Sequence, residues 1–181
     1  MKKLVLMIIP ALICGMVFSS CVSYKEEAKD EDEKKGELEI FRENNQKKVS
    51  VSQGVWGTIL KIEGDCMPGI VGEERPNPCR VFPVIREVLV FEYTTDKDVV
   101  YSLIYPTFYE KVNTKLIART TSDNEGFFEL ALQPGKYSVF VIEDGLLYAA
   151  GCDGLGGINP LTVELSNVSE HIFKISYGSS N

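Results

Sequence analysis

The chain is predicted to form an all-β, antiparallel β-sandwich of about seven strands, and three observations support this fold class. From residue 49 onward, short apolar runs rich in β-branched residues alternate with turn residues. No long stretch of this region keeps the 3.6-residue period of an amphipathic helix. Residues 49–181 also have the length of one sandwich or barrel domain, so a single all-β domain is expected there.

Strands and turns follow one another at short intervals along this region. The Gln-Pro-Gly of residues 133–135 and the Asp-Gly of residues 144–145 are turn signals, because proline fixes a negative φ and glycine tolerates a positive one. In the last strand Phe173, Ile175 and Tyr177 share one face. The strands are predicted at residues 55–62, 84–93, 116–121, 127–132, 136–143, 146–148, 161–165 and 171–177.

Residues 96–113 do not fit the strand pattern. The run is apolar and aromatic without clean alternation, and Pro106 interrupts it. An irregular edge strand or a long loop packed on the sandwich is expected, and a short helix is the alternative.

Residues 1–20 have the layout of a secretory signal peptide. Lys2 and Lys3 give a basic start, and the apolar run of residues 4–18 is shorter than the roughly 18 to 20 residues of a membrane-spanning helix. Residues 18–21, Phe-Ser-Ser-Cys, resemble the lipobox of bacterial lipoproteins, in which leucine is commoner at the first position. The resemblance implies cleavage before Cys21 and attachment of diacylglycerol to its thiol. An ordinary signal peptide with an incidental cysteine is the alternative.

Residues 21–48 are expected to be a lipid-attached, charged and disordered linker, because apolar residues are sparse there. As a coil, residues 23–48 would span on the order of 30 Å. A helical turn or transient docking is the alternative for residues 37–41. Lys25, Glu26 and Glu27 resemble the signal that exports lipoproteins to the outer face of the outer membrane. The cell surface is therefore the expected location, with the periplasmic face as the alternative.

The charge of the chain excludes one class of partner. The formal net charge is −7, and it becomes −9 when Lys2 and Lys3 leave with the signal peptide. An acidic protein is not attracted to phosphate backbones or anionic lipids, so nucleic acid is not expected as a partner. Attachment to the membrane must come from the lipid anchor.

The central hairpin carries a family resemblance. Its pattern is Asp-x-x-Gly-x-Phe followed by Leu-x-Pro-Gly-x-Tyr-x-Val, at Asp123, Gly126, Phe128, Leu132, Pro134, Gly135, Tyr137 and Val139. With Val55, Gly57 and Ile59 as an opening strand, it resembles the carboxypeptidase regulatory-like domain over most of residues 51–177. The resemblance implies a transthyretin-like Greek-key sandwich, and it implies little about function because such modules are joined to many unrelated proteins.

Cysteines and the single histidine limit the chemistry that is expected. Cys66 and Cys79 bracket a loop rich in proline and glycine and are a candidate disulfide of an exported protein, with a bridge between Cys66 and Cys152 as the alternative. The zinc catalysis of the domain that names the family needs two histidines and a glutamate, whereas this chain has only His171. A structural or solvent-facing imidazole is favoured for His171 over a metal ligand or a triad base.

Two further groups of residues are candidate sites. Asp153 and Asn159 lie in a glycine-rich loop that resembles a calcium loop only loosely, and a tight turn is the favoured alternative. Other loop acids are Glu63, Asp65, Glu73, Glu74 and Asp144. A possible recognition surface comprises Trp56, Tyr101, Tyr105, Phe108 and Tyr109, with packing over the sandwich edge as the alternative.

Three functions are compatible with these features. A lipid-anchored, non-enzymatic and monomeric interaction or structural module at the cell envelope is expected, with no metal or cofactor and with a protein or glycan partner. The first alternative is a glycan-binding accessory lipoprotein of a nutrient-uptake system. The second is an enzyme with an unrecognised site.

Overall fold

The computed structural model describes residues 38–67, 78–103 and 105–177. The predicted signal peptide, Cys21 and the export signal at Lys25 lie outside the described residues. None of the helices in the described ranges is long and apolar enough to cross a bilayer.

The described residues form one α-helix, one 3-10 turn and eleven short strands. The helix, α1, covers residues 38–46, and the 3-10 turn covers Asp96–Asp98. The strands are β1 Gly54–Glu63, β2 Arg80–Pro83, β3 Glu87–Glu92, β4 Val99–Tyr101, β5 Phe108–Val112, β6 Leu116–Thr121, β7 Phe127–Ala131, β8 Gly135–Glu143, β9 Leu146–Tyr148, β10 Pro160–Val163 and β11 Val168–Ile175.

The strands form two sheets, which confirms the predicted all-β sandwich. In the smaller sheet β1 lies at the centre, with β11 along one edge and with β7 and β2 sharing the other edge. The larger sheet has the order β4-β5-β9-β8-β3-β6, and β10 also pairs with β8. Most pairs are antiparallel, but β1 and β11 run parallel, from Gly54 opposite Val168 to Lys61 opposite Ile175.

The core lies between the sheets, and its residues come from alternate positions of the long strands. On β1, Val55 and Ile59 are fully buried, and on β8, Val139 and Val141 face them from the other sheet. Phe173 on β11 is also buried in this core, as the alternation predicted for the last strand requires.

The outer face of the smaller sheet is covered by α1. Trp56 and Thr58, which alternate with the core positions of β1, are 5% and 3% exposed. Asn45, at the end of α1, is fully buried and donates hydrogen bonds to Thr58 Oγ1 (2.9 Å) and to the Glu125 carbonyl (3.0 Å). The end of the segment expected to be a linker, residues 38–48, is therefore packed on the sandwich.

Ion pairs also attach this segment to the strands. Arg42 donates two hydrogen bonds to the carboxylate of Glu170 on β11, at 2.6 and 2.8 Å. Lys48 pairs with Asp123 at 2.7 Å and also with Glu125. The charged side chains of this segment therefore hold it on the sandwich. Because dense charge is also typical of a solvated linker, composition alone did not predict that residues 38–48 are docked.

The outer face of the larger sheet is partly covered by the region that the sequence did not assign. Residues 96–113 contain the 3-10 turn and the hairpin of β4 and β5, and β4 is an edge strand. The ring of Tyr109 on β5 packs edge-on against Phe140 of β8, with 5.4 Å between centroids. Because Phe140 alternates with the core positions of β8, this contact lies on the outer face. The expected edge strand is present, and the helical alternative is limited to one 3-10 turn.

Candidate functional site

Four apolar or aromatic side chains between residues 100 and 105, in the β4–β5 hairpin, are exposed. Val100 and Tyr101 lie on β4 and are 43% and 42% exposed, whereas Leu103 and Tyr105 lie in the turn and are 98% and 47% exposed. We call these four residues the hairpin surface. No charged residue occurs between Asp98 and Glu110, so the hairpin presents an uncharged tip on an acidic chain.

The hairpin surface is supported by ring contacts beneath it. Tyr101 lies 5.2 Å from the Tyr109 ring, and its hydroxyl donates to Asp96 Oδ1 at 3.2 Å. Burial of part of the ring, together with the nearby Asp96 carboxylate, raises the pKa of Tyr101. The Tyr101 ring is therefore held in place by Tyr109 and Asp96, and the rest of its surface is exposed to solvent.

Tyr105 is held in a second aromatic group. Its ring lies 5.7 Å from Phe108 and 6.2 Å from Tyr177. Phe108 packs in turn against Tyr148, at 5.1 Å between centroids. The backbone of the turn is closed by a hydrogen bond from the Phe108 amide to the Tyr105 carbonyl at 3.1 Å. The exposed turn is thus joined to a packed aromatic base.

The structure separates the five predicted recognition residues into two groups. Tyr101 and Tyr105 are exposed, but Trp56, Phe108 and Tyr109 are only 3–5% exposed and cannot contact a partner. Trp56 lies on the face of β1 against which α1 packs through Asn45 and Thr58, and the other two form the base of the hairpin. Burial raises the pKa of Tyr109 to about 12.

Sequence reasoning missed Leu103, the most exposed residue of the hairpin surface. The prediction considered aromatic side chains only. The signal that could have found Leu103 was the uncharged run of residues 99–109, interrupted by proline at the point where the strand must turn.

A buried carboxylate forms a second polar cluster. Glu143, at the end of β8, has only 1% of its side chain exposed and accepts hydrogen bonds from Lys61 (3.2 Å), Tyr177 (2.7 Å) and Arg86. Burial alone would raise the pKa of Glu143, but these hydrogen bonds, the one from Arg86 first, outweigh burial and lower it. The Tyr177 hydroxyl also donates to Asp144 at 2.7 Å, and burial and both carboxylates raise its pKa.

This cluster has the character of a structural ion pair. Its donors come from β1, from the segment before β3 and from the residues just after β11, so it ties both sheets together. The carboxylate is held ionised by cations, which is opposite to the raised pKa that a general acid needs at neutral pH.

The loop that contained the candidate calcium ligands is closed by its own hydrogen bonds. Asp153 Oδ1 accepts from the amides of Leu155 (3.0 Å) and Gly157 (2.9 Å), and Oδ2 accepts from the Tyr93 hydroxyl at 2.7 Å. Asn159 directs its amide nitrogen to the Val139 carbonyl at 2.8 Å. The arrangement is the tight turn given as the alternative. Within the described ranges, no group of three or more histidine, cysteine or acidic residues could hold a metal ion.

The remaining predicted residues are dispersed. Cys66 and Cys79 form a disulfide, with Cα atoms 4.6 Å apart, and Cys152 is free and exposed. Glu63 pairs with Lys61 at 3.5 Å, at the end of β1.

The other predicted loop acids are Asp65, Glu73 and Glu74. Asp65 accepts a hydrogen bond from the Met67 amide at 3.1 Å, and Glu73 and Glu74 lie outside the described residues.

His171 on β11 packs against Phe173, and burial lowers its pKa to about 4. A neutral imidazole in a packed setting fits the structural role that was favoured for His171.

Comparison with known proteins identifies no relative. No protein-family model matches the chain, no curated protein matches it, and no solved structure matches it. The resemblance to the carboxypeptidase regulatory-like domain therefore stays a prediction made from the motif residues.

Proposed function

We propose that the protein is a lipid-anchored lipoprotein of the cell envelope whose β-sandwich is a non-catalytic interaction module. The observation that carries the interaction role is the hairpin surface. It exposes Leu103 almost completely, although a packed position for this leucine would be favourable by about 1.5 to 3 kcal/mol. A cluster of exposed apolar side chains on a well-packed domain is typical of a contact site.

The rest of the domain supports a scaffold role. The charged cluster at Glu143 and the helix α1 close two parts of the surface with ion pairs, and the loop at Asp153 is satisfied internally. The hairpin surface brings four exposed residues within six positions of the chain, whereas exposed side chains such as Leu155 and Leu165 lie singly in loops of the described part. Cys21 supplies the predicted anchor, and the outer face of the outer membrane is the proposed location.

Glycan binding is the second candidate function, and the half-exposed rings of Tyr101 and Tyr105 favour it. Sugars stack on exposed aromatic faces and need polar groups beside them. Asp96, which accepts the hydrogen bond of Tyr101, is such a group. The second candidate places the same accessory module in a nutrient-uptake system.

Two measurements test the proposal. Mass spectrometry of the protein purified from membranes should show an acylated N-terminal peptide beginning at Cys21, and the Cys21→Ser variant should lose the acyl mass. An unacylated product with the leader still attached would overturn the anchor. A glycan array probed with the wild type and with Tyr105→Ala tests the second candidate, which requires binding that this variant loses.

A further inference from the structure

We propose that the hairpin surface contacts the lipid bilayer that carries the anchor, so that the domain rests on the membrane through the β4–β5 tip. This inference rests on the proposed function, because it names the partner of the same surface. Its basis is the composition, exposure and shape of the tip.

The composition of the tip suits a lipid interface. Leu103 projects an aliphatic side chain at the turn, and Tyr101 and Tyr105 flank it with rings that carry a hydroxyl group. Tyrosine is enriched where apolar and aqueous regions of a membrane meet, because its ring is apolar and its hydroxyl is polar. Because the run from residue 99 to 109 is uncharged, Leu103 can enter this region without desolvating a charge of its own stretch, and Asp96, which accepts the hydrogen bond of Tyr101, would lie at the aqueous edge of the contact.

The size of the hairpin surface favours a bilayer over a protein partner. A standard protein–protein interface uses about 20 to 30 residues on each side, with a well-packed centre. The described part of the hairpin surface consists of four residues within a six-residue stretch of chain. A bilayer interface needs no complementary pocket, so a small apolar projection is sufficient.

The anchor makes weak insertion effective. Sixteen residues separate Cys21 from Leu38, where the described helix begins. With the coil dimensions predicted from their composition, they would reach about 20 to 24 Å. This tether keeps the domain at a high local concentration beside the bilayer, and a weak contact is then populated more than it would be for the free protein.

Charge explains why the contact should be apolar. The chain without its leader has a formal charge of −9, so anionic lipids repel it. We therefore expect binding to zwitterionic phosphatidylcholine that does not increase when anionic lipid is added.

The first test places a reporter at the tip. Residues 22–181 carry a hexahistidine tag in place of the acylated cysteine and are held on phosphatidylcholine vesicles by a small fraction of nickel-chelating lipid. In a Cys152→Ser background, Leu103→Cys is labelled with an environment-sensitive dye, and Leu165→Cys is the matched control, since Leu165 is 76% exposed in the turn between β10 and β11. The dye at position 103 should shift to the blue, gain severalfold in intensity and be quenched by spin-labelled lipid, whereas the dye at 165 should not.

The second test measures free association of the same chain, without nickel lipid. Leu103→Asp should weaken flotation with phosphatidylcholine vesicles about tenfold or more, as expected for loss of one buried leucine, and Leu165→Asp should not. The unfolding transition of each aspartate variant is compared with that of the wild type, so that loss of binding is not confused with loss of folding. The dye experiment introduces no charged residue and therefore tests the contact without charge repulsion.

Three results would overturn the inference. The dyes at positions 103 and 165 could respond equally to the bilayer. Flotation could be unaffected by Leu103→Asp. Position 103 could respond only when an envelope protein or a glycan is added to the vesicles. These outcomes do not depend on acylation of Cys21, so failure of the bilayer contact is distinguishable from failure of the proposed anchor.

Discussion

Replacing Glu143 with glutamine should destabilise the domain more than any loss of a surface ion pair. The substitution keeps the shape of the side chain and removes the negative charge that faces Lys61 and Arg86. The carboxylate is almost completely buried, but the two cations are 21% and 26% exposed and keep some contact with water. Removing one partner of a fully buried pair costs about 3 to 5 kcal/mol, and partial exposure of the remaining charges reduces the expected cost to about 2 to 3 kcal/mol.

The assay is urea unfolding followed by the fluorescence of Trp56, which is the only tryptophan and is 5% exposed. The matched control is Glu87→Gln, because Glu87 pairs with Arg119 at 3.7 Å while both side chains are exposed. The control should cost less than about 1 kcal/mol. A loss of about 2 to 3 kcal/mol corresponds to a fall in Tm of about 6 to 12 °C for a domain of this size.

The pH dependence of the Glu143→Gln effect has a definite sign. The pKa of Glu143 is lower in the folded state than in the unfolded chain, so its stabilisation is complete above the ordinary glutamate pKa of about 4.3 and is lost as pH falls through the folded pKa. The difference in the free energy of unfolding between the wild type and Glu143→Gln should therefore become smaller as the pH is lowered below about 4.3. The reasoning would be refuted if Glu143→Gln and Glu87→Gln lowered the free energy of unfolding equally at neutral pH. It would also be refuted if the difference between the wild type and Glu143→Gln stayed constant in acid.

Three further predictions concern stability and titration. His171 should titrate in NMR spectra with a pKa of about 4, because burial disfavours its charged form; its contribution to stability should be complete above pH 6.5 and fall between pH 6.5 and 4. Replacing both Cys66 and Cys79 with serine should lower the free energy of unfolding by about 3 kcal/mol, since the bridge spans 13 residues and restricts the unfolded chain. Gly57→Ala should cost about 3 kcal/mol in urea unfolding, because a Cβ there would lie 2.0 Å from the His171 carbonyl oxygen and 2.6 Å from the Phe128 ring.

Each of these three predictions has a control variant or a result that would contradict it. A measured pKa near 6.5 for His171 would contradict its burial. Cys152→Ser should change the free energy of unfolding by less than about 0.5 kcal/mol, because the thiol is exposed. Gly145→Ala meets no atom within 4 Å and should cost only the about 1 to 2 kcal/mol of its positive φ. A smaller loss for Gly57→Ala than for Gly145→Ala would show that the strand can move to make room.

Local signals predicted the regular part of the fold well. The bounds expected for β6 and β9 match the structure, and the turn between β8 and β9 has the positive φ angles, 51° at Asp144 and 80° at Gly145, that its sequence favours. Short-range turn chemistry and alternation decide these elements. Tertiary contacts do not alter them.

Elements that depend on distant contacts were missed or predicted only in part, since α1 was anticipated only as an alternative helical turn at residues 37–41. β2 exists because Arg80–Pro83 pairs with the end of β1, beyond a loop closed by a disulfide. α1 has few apolar residues, and its position depends on Arg42 meeting Glu170, which is 128 residues away in sequence. Pair contacts of this range leave no periodic signal in a single sequence.

The same limit applies to the candidate site. Tyr101 and Tyr105 were selected as exposed aromatics together with Trp56, although one local signal separates Trp56 from them. The continuous apolar run of β1 was a usable signal, because a strand that is apolar on both faces is covered on both faces. The exposure of Leu103 depends on how the hairpin turns away from the sheet, which is a property of the assembled fold.

The parallel pairing of the first and last strands has a mechanical consequence. Gly54, where β1 begins, and Ile175, where β11 ends, lie at opposite ends of one ladder. Tension applied between the start of β1 and the end of β11 would act along these two strands and load their backbone hydrogen bonds in shear, all together. A hairpin pulled at its open end would instead release them one at a time. We expect this geometry to make the sandwich resistant to forced extension between its two ends.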